Sequence, residues 1–114
     1  MLYELRIYQV APTRMQAILD RFQNDTIRIF AKHNMKVTHF WVDVDESKDR
    51  LYYLVEHVDE ASRERNYQAF FEDPEWLELK EKTEQNGPLH EKIDSVYMEN
   101  VSFFDNKNEG LTNK

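Results

Sequence analysis

The sequence predicts one α+β domain in which helices cover a single face of a four-stranded antiparallel sheet. A length of 114 residues suits one domain. The spacing of the apolar residues changes between period two and helical spacing several times, as it does when strands and helices alternate. Only 2 glycines and 3 prolines are present, too few for an all-β chain with many tight turns. Aromatic residues make up 13% of the chain, so the sequence favours a folded, aromatic core over disorder.

The first third of the chain predicts a strand followed by a long helix. Residues 2 to 10 alternate along the chain, which is the pattern of a strand. Thr13 begins a T-x-x-Q capping box, so we expect a helix to start near Arg14. Apolar residues at three- and four-residue spacing continue this helix to Phe30. Three poor helix formers at 24–26 predict a kink or an irregular turn.

Two further strands and their hairpin follow this helix. Residues 36–44 alternate and are rich in β-branched and aromatic side chains, and residues 51–58 form a second run of this kind. The polar segment 45–49 between them predicts a turn. A hairpin is therefore the simplest connection of these two strands.

The second half of the chain predicts two helices and a last strand. Asp59 starts one helical stretch, and Asp73 begins another in which the capping carboxylate is followed by a proline and an acid of the first turn. The segment 86–88 ends this helix, and residues 93–103 alternate as the last strand. Trp76 and the pair Phe70-Phe71 follow helical spacing and are expected in the core.

The resulting order of elements is βαββαβ, the order of a ferredoxin-like fold. Residues 1–104 are expected to form this domain, and residues 105–114 to form a polar tail. In such a fold the helices cover one face of the sheet and leave the other face open.

Composition excludes several classes of function. A net charge of -7 disfavours nucleic acid as a partner. Without cysteine the chain has no disulfides, thiol catalysis or thiolate metal site, and no apolar run is long enough to span a membrane. The first ten residues contain charges and are not expected to be a signal peptide. The cytoplasm is the expected location.

The alternation in each strand predicts two faces, and the more apolar set is assigned to the helices. In the third strand either Tyr53 and His57 or Tyr52 and Glu56 face the helices, and a buried carboxylate is costly unless it is paired, so we place Glu56 on the open face. The residues assigned to the helix-covered face are Tyr3, Leu5, Ile7, Phe40 and Val42. The residues assigned to the open face are Glu4, Arg6, Tyr8, His39, Trp41, Tyr97 and Glu99.

An open face with this composition predicts a homodimer. It is too aromatic to remain in water and too polar to be a simple core. Two such faces in contact would enclose a polar, aromatic cavity, which is the usual kind of small-ligand site.

The residues also resemble a known family. The opening Tyr3-Glu4-Leu5-Arg6-x-Tyr8, the helix end at His33, the strand pair Phe40-Trp41 and the segment Asp73-Pro74-Glu75-Trp76 resemble, in order and approximate spacing, the NIPSNAP family. The resemblance covers roughly residues 2–103. It implies a dimeric α/β barrel, in which two ferredoxin-like protomers pack their sheets together. The family has no generally accepted reaction, whereas other proteins with this fold carry out cofactor-less oxidation or isomerisation.

The sequence departs from the family pattern at two positions where glycine is common. Asn34 follows His33, and asparagine tolerates the left-handed backbone that ends a helix. His39 precedes the aromatic pair and adds a bulky titratable group to the predicted cavity.

Two functions remain open at the level of the sequence. One is a small-molecule binder or a cofactor-less oxygenase- or isomerase-like enzyme, with His39 as its proton carrier and Arg6 as the group that orients the ligand. The other is a protein-interaction module with an inert barrel core. No set of residues at metal-ligand spacing is present, so we predict neither a metal nor a cofactor. The predicted ligand-binding residues are Glu4, Arg6, Tyr8, Trp41, Glu56, Tyr97 and Glu99.

Overall fold

A computed structural model describes residues 1–104 of the chain, so the predicted polar tail at 105–114 lies outside the described residues. Four strands, four α-helices, one π-helical turn and one 3₁₀ turn make up the described part. Their bounds are β1 Leu2–Val10, α1 Met15–Arg21, the π turn Phe22–Thr26, α2 Ile27–Lys32, β2 Lys36–Val42, the 3₁₀ turn Glu46–Lys48, β3 Arg50–His57, α3 Glu60–Phe71, α4 Pro74–Thr83 and β4 His90–Met98.

The strands form one antiparallel sheet in the order β2-β3-β1-β4. The two strands at the centre, β1 and β3, are the first strands of the two successive βαβ units, as expected for a ferredoxin-like fold. The predicted fold class of the single chain is therefore confirmed.

The first helical region contains the irregular turn that the sequence predicts. The π turn Phe22–Thr26 joins α1 to α2, and the hydroxyl of Thr26 donates to the carbonyl of Arg21 over 3.2 Å. The capping box was a wrong prediction. Thr13 has a φ of 67°, in the left-handed region, and Arg14 occupies the N-cap position without a capping side chain.

Carboxylates cap α3 and α4, as predicted. Asp59 accepts from the backbone N–H of Ser62 over 2.7 Å, and Asp73 accepts from that of Glu75 over 2.8 Å. Asp73 also contacts Lys32, with Nζ 2.6 Å from Oδ2. This aspartate therefore caps the N-terminus of α4 and also links α4 to α2 through an ion pair.

The last strand begins and ends earlier than predicted. It runs over His90–Met98 instead of residues 93–103 because its partner β1 begins at Leu2. Tyr3 pairs with Met98, so the chain after Met98 has almost no remaining strand to pair with. The second strand ends at Val42, two residues before the predicted end.

The core lies between the sheet and the helices and is strongly aromatic. Phe22 meets Tyr8, Phe40 and Tyr53 with ring centroids 5.0–5.7 Å apart. Trp76 is buried against Phe70 at 4.7 Å, as predicted, whereas Phe71 lies largely exposed. Within residues 1–104 no helix has the length and apolarity needed to cross a membrane.

The structure corrects the predicted facing of two strands. β2 and β3 face as predicted, with Phe40 towards the helices and with His39, Trp41 and Glu56 on the open face. In β1 and β4 the prediction was wrong. The residues on the helix side of these two strands are Glu4, Arg6, Tyr8, Ser95 and Tyr97, and those on the open face include Tyr3, Leu5, Ile7, Val96 and Met98.

The physical reason for this inversion is pairing. Glu4 has no exposed surface, and its carboxylate accepts hydrogen bonds from Arg63 of α3 and Ser95 of β4. A buried carboxylate is costly only when it lacks partners. Helix α3 and the neighbouring strand β4 supply these partners, so the polar set of β1 turns inward.

Candidate functional site

A groove of about 560 Å³ crosses the open face of the sheet. This volume falls within the range of about 300–1,000 Å³ that is usual for small-ligand sites. Aromatic, apolar and carboxylate side chains share its walls. The lining residues are Tyr3, Thr38, His39, Trp41, Leu54, Glu56, Met98, Glu99, Asn100 and Val101.

A bulge in β2 positions the histidine and tryptophan of this groove. The register with β3 shifts between Val37 and His39, so one extra residue enters the strand. The bulge turns Val37 towards the core and leaves His39 on the open face. The His39 ring stacks on Trp41, with centroids 5.3 Å apart and planes 18° apart, and its Nδ1 lies 3.1 Å from the hydroxyl of Thr38. Together the two rings form a flat, half-exposed platform.

The sheet separates the predicted site residues into two groups. Trp41, Glu56 and Glu99 line the groove together with His39, the predicted proton carrier. The other four lie on the opposite side of the sheet and cannot contact a molecule in the groove. These four residues are Glu4, Arg6, Tyr8 and Tyr97.

Glu4 is the centre of a buried polar cluster on the helix-covered face. Arg63 holds its carboxylate with two hydrogen bonds, from Nε over 2.9 Å and from Nη2 over 3.0 Å. His57 Nε2 lies 3.0 Å from Oε1, and the hydroxyl of Ser95 donates to Oε2 over 2.8 Å. Burial alone would raise the pKa of Glu4, but these hydrogen bonds outweigh burial and hold the pKa well below its usual range.

Arg6 lies beside Glu4 and is held by tyrosine hydroxyls. Its Nε donates to Tyr53 over 2.9 Å, its Nη2 to Tyr8 over 3.4 Å and its Nη1 to Glu4 over 3.3 Å. The hydroxyls of Tyr8 and Tyr53 are themselves 3.0 Å apart. Arg6 is thus fixed in place, the condition that a ligand-orienting group requires.

Arg63 and Tyr67 complete this cluster, and neither was predicted from the sequence. Both belong to α3, where Arg63, Tyr67 and Phe70 follow one another at four- and three-residue spacing and so share one face of the helix. Phe70 and Tyr67 are buried, so the same spacing would have indicated that Arg63 points inward. The acidic residues Glu60 and Glu64 on either side of Arg63 made this part of α3 look like a solvent-exposed segment.

This protein is of the α+β, ferredoxin-like class. Its strand order defines this class, together with a sheet that has one face covered by helices and one open face that carries a groove. The chain belongs to the NIPSNAP family, whose model matches residues 3–103. A comparison with curated proteins gave no match.

Solved structures support the fold. An uncharacterized NIPSNAP domain protein from Burkholderia xenovorans is 17% identical, with a TM-score of 0.78 over 93% of this chain and 100% of that one. A NIPSNAP family protein from Agrobacterium tumefaciens is 18% identical, with a TM-score of 0.77 over 90% of this chain and 94% of that one. An antibiotic biosynthesis monooxygenase is 13% identical, with a TM-score of 0.58 over 89% of this chain and 99% of that one.

Proposed function

We propose that this NIPSNAP protein is a homodimer that joins its open sheet faces and binds a small molecule in the groove beside His39 and Trp41. One observation carries the proposal: the groove and the exposed apolar side chains lie on the same face. Trp41 is 47% exposed, Val96 43% and Met98 39%, and all three belong to strands of one sheet. A second copy that covered these side chains would remove apolar surface from water and close the groove.

The groove favours a planar ligand that carries hydrogen-bond donors. The stacked rings of His39 and Trp41 offer a flat surface, and the carboxylates of Glu56 and Glu99 stand in the same lining as acceptors. Arg6 lies across the sheet and has no part in this groove. The orienting groups of the groove are therefore acidic, in contrast to the basic group that the sequence suggested.

If the bound molecule is also converted, His39 is the proton carrier we propose. Its imidazole is exposed to the groove, and imidazole is the side chain that most often acts as a general acid or base. The reaction would be a cofactor-less oxidation or isomerisation, as the fold suggests by analogy. Substituting His39→Gln would then remove a step from the pH profile of turnover while leaving the mass of the dimer unchanged.

Light scattering and a ligand screen test the proposal together. We expect a mass of twice 13.9 kDa at micromolar concentration. In a thermal-shift screen of small planar compounds, a ligand at 100 times its dissociation constant stabilises by about 2.7 kcal/mol. Trp41→Leu should lose this shift, and Phe71→Leu, an equally exposed aromatic on α3, should keep it. A monomer of 13.9 kDa would contradict the proposal.

A protein-interaction module is the second candidate, and exposed side chains after β4 favour it. Val101 is 52% exposed, Phe103 86% and Phe104 56%, and Val101 borders the groove. A dimer that binds no compound of the screen, but binds a purified protein partner through these residues, would support this second function. A cytoplasmic location stays a prediction of the sequence.

A further inference from the structure

The chain that follows β4 turns over the open face of the sheet. β4 ends at Met98, and two residues later the side-chain amide of Asn100 donates to the hydroxyl of Tyr3 over 3.2 Å. Tyr3 belongs to β1 and lies on the open face. We call residues 99–104 the arm, because they follow the last pair between β4 and β1 and lie beyond the sheet.

The arm forms one wall of the groove. The groove extends from the rings of His39 and Trp41 on β2 to Asn100 and Val101 of the arm. β2 and β4 are the two edges of the sheet, so the platform of His39 and Trp41 faces the arm across the width of the sheet. The groove therefore has a floor and two walls, and residues 1–104 of one chain provide no roof for it.

The far end of the arm presents two aromatic rings to solvent. The arm makes a turn after Val101, whose carbonyl accepts from the backbone N–H of Phe104 over 3.3 Å. Phe103 is 86% exposed and Phe104 56%, and neither lines the groove of its own chain. Adjacent aromatic rings at this exposure, next to the apolar side chains of an open sheet face, indicate a contact surface.

The arm and the groove are complementary if the open face meets a second copy of itself. In a twofold dimer the same surface contributes from both subunits, so a projection of that surface needs a depression of the same surface. The groove beside the arm is such a depression, and Trp41, Leu54 and Met98 make its lining partly aromatic and apolar. Residues 100–104 carry no charge, so covering them removes no ion from water.

We propose that the partner's Phe103 and the partner's Phe104 form the roof of the groove in each protomer. This inference rests on the proposed function, because it takes the open faces as the dimer interface. It adds that no groove is complete within one chain, since each ligand site combines the sheet of one protomer with the arm of the other. A planar molecule on the platform then lies between the Trp41 ring and a phenyl ring of the partner, which covers both of its faces.

Disulfide trapping tests this arrangement, and the chain suits it because it contains no cysteine. A tagged chain with Thr38→Cys or Leu54→Cys, both in the groove lining, is mixed with an untagged Phe103→Cys chain and oxidised. Two cysteines are joined only when their Cα atoms lie within about 7 Å of each other. We expect a disulfide between tagged and untagged chains from at least one of the two groove positions.

The matched control is a tagged Asp94→Cys chain. Asp94 pairs with Ile7 and so lies on the open face, and its side chain is 57% exposed, but it does not line the groove. It should form no disulfide with the Phe103→Cys chain. A dimer that yields no mixed disulfide from either groove position, or yields more from Asp94→Cys, would overturn the proposal and leave the arm to a different partner.

A single chain that carries both Thr38→Cys and Phe103→Cys separates the partner's arm from the chain's own arm. We expect its disulfide to join two chains, so that a denaturing gel without reductant shows twice the mass of one chain. A disulfide closed within one chain would show that the arm covers its own groove and would overturn the proposal.

A double variant, Phe103→Ser with Phe104→Ser, measures how much the arm contributes to the dimer. It should raise the dissociation constant of the dimer at least about tenfold, because two aromatic side chains lose their cover. Phe71→Ser, on α3 and 53% exposed, should leave the constant unchanged. A wild type with the mass of one chain would contradict the proposed function and this inference together. A dimer that Trp41→Glu dissociates, but that the double variant leaves at wild-type strength, would contradict the role of the arm alone.

Discussion

The two faces of β1 differ in which kind of side chain is buried. On the helix-covered face Glu4 is completely buried, yet three residues make four hydrogen-bond contacts with its carboxylate: one from His57, one from Ser95 and two from Arg63. Arg6 adds a longer contact of 3.3 Å. On the other face Leu5 is apolar and only partly covered. Burial in this sheet therefore follows the number of partners that a side chain finds across the fold, and not its polarity alone.

The two faces of the sheet also differ in what covers them. On the covered face the charged groups of Glu4 and Arg6 find their partners within one protomer. The open face leaves Trp41, Val96 and Met98 exposed to solvent within the single chain. Variants on the covered face should therefore change folding of the protomer, whereas variants on the open face should change association.

The largest expected effect is that of Glu4→Gln. It removes the buried charge that pairs with the partly buried guanidinium groups of Arg6 and Arg63, and breaking a buried ion pair from one side costs up to about 3–5 kcal/mol. Urea unfolding measures this loss. Glu91→Gln, on an exposed position of β4, is the matched control and should change stability by less than about 0.5 kcal/mol. Equal effects of the two substitutions would contradict the pairing argument.

Acid should reproduce part of this effect in the wild-type protein. The pKa of Glu4 is depressed in the folded state from an ordinary value of 4.5, so its contribution is fully present above pH 4.5 and is lost as the pH falls below it. Each unit of difference between folded and unfolded pKa corresponds to about 1.4 kcal/mol. Urea unfolding at about pH 6 and at about pH 3 should show this decline in the free energy of unfolding of the wild type. The decline should be smaller in Glu4→Gln, which has no carboxylate to protonate at this position.

The sequence predicts most of the fold, but it predicts correctly for only two of the four strands which side chains point towards the helices. The alternation of β1 defines two faces but does not state which of them meets the helices. The choice rests on Arg63, which lies 59 positions from Glu4 in the chain and reaches it only after α3 has packed on the sheet. Likewise the groove at His39 depends on a strand bulge, and alternation alone does not reveal an extra residue.

A smaller effect is expected at the start of α4. Asp73→Ala removes a helix cap and should cost about 0.5–2 kcal/mol. Asp59→Ala removes an equivalent cap from α3, but Asp59 is exposed and lacks the additional contacts of Asp73 with Lys32 and His33. Thermal unfolding should therefore rank Asp73→Ala as the more damaging change. The reverse order would show that the contacts between α2 and α4 add nothing to the cap.

The smallest effect on the folding of a protomer, and the largest on association, is expected from Trp41→Glu. Trp41 is already half-exposed in the single chain, so a charge there costs the protomer little. In a dimer that covers this face, the same charge would be buried without a partner, at a cost of several kcal/mol. Light scattering should therefore give the mass of one chain for the variant and of two for the wild type. Circular dichroism should show the same fold in both, and only the wild type should melt at a temperature that rises with protein concentration. If Trp41→Glu remains dimeric, the interface does not lie on the open face, and the function proposed for the groove must be abandoned with it.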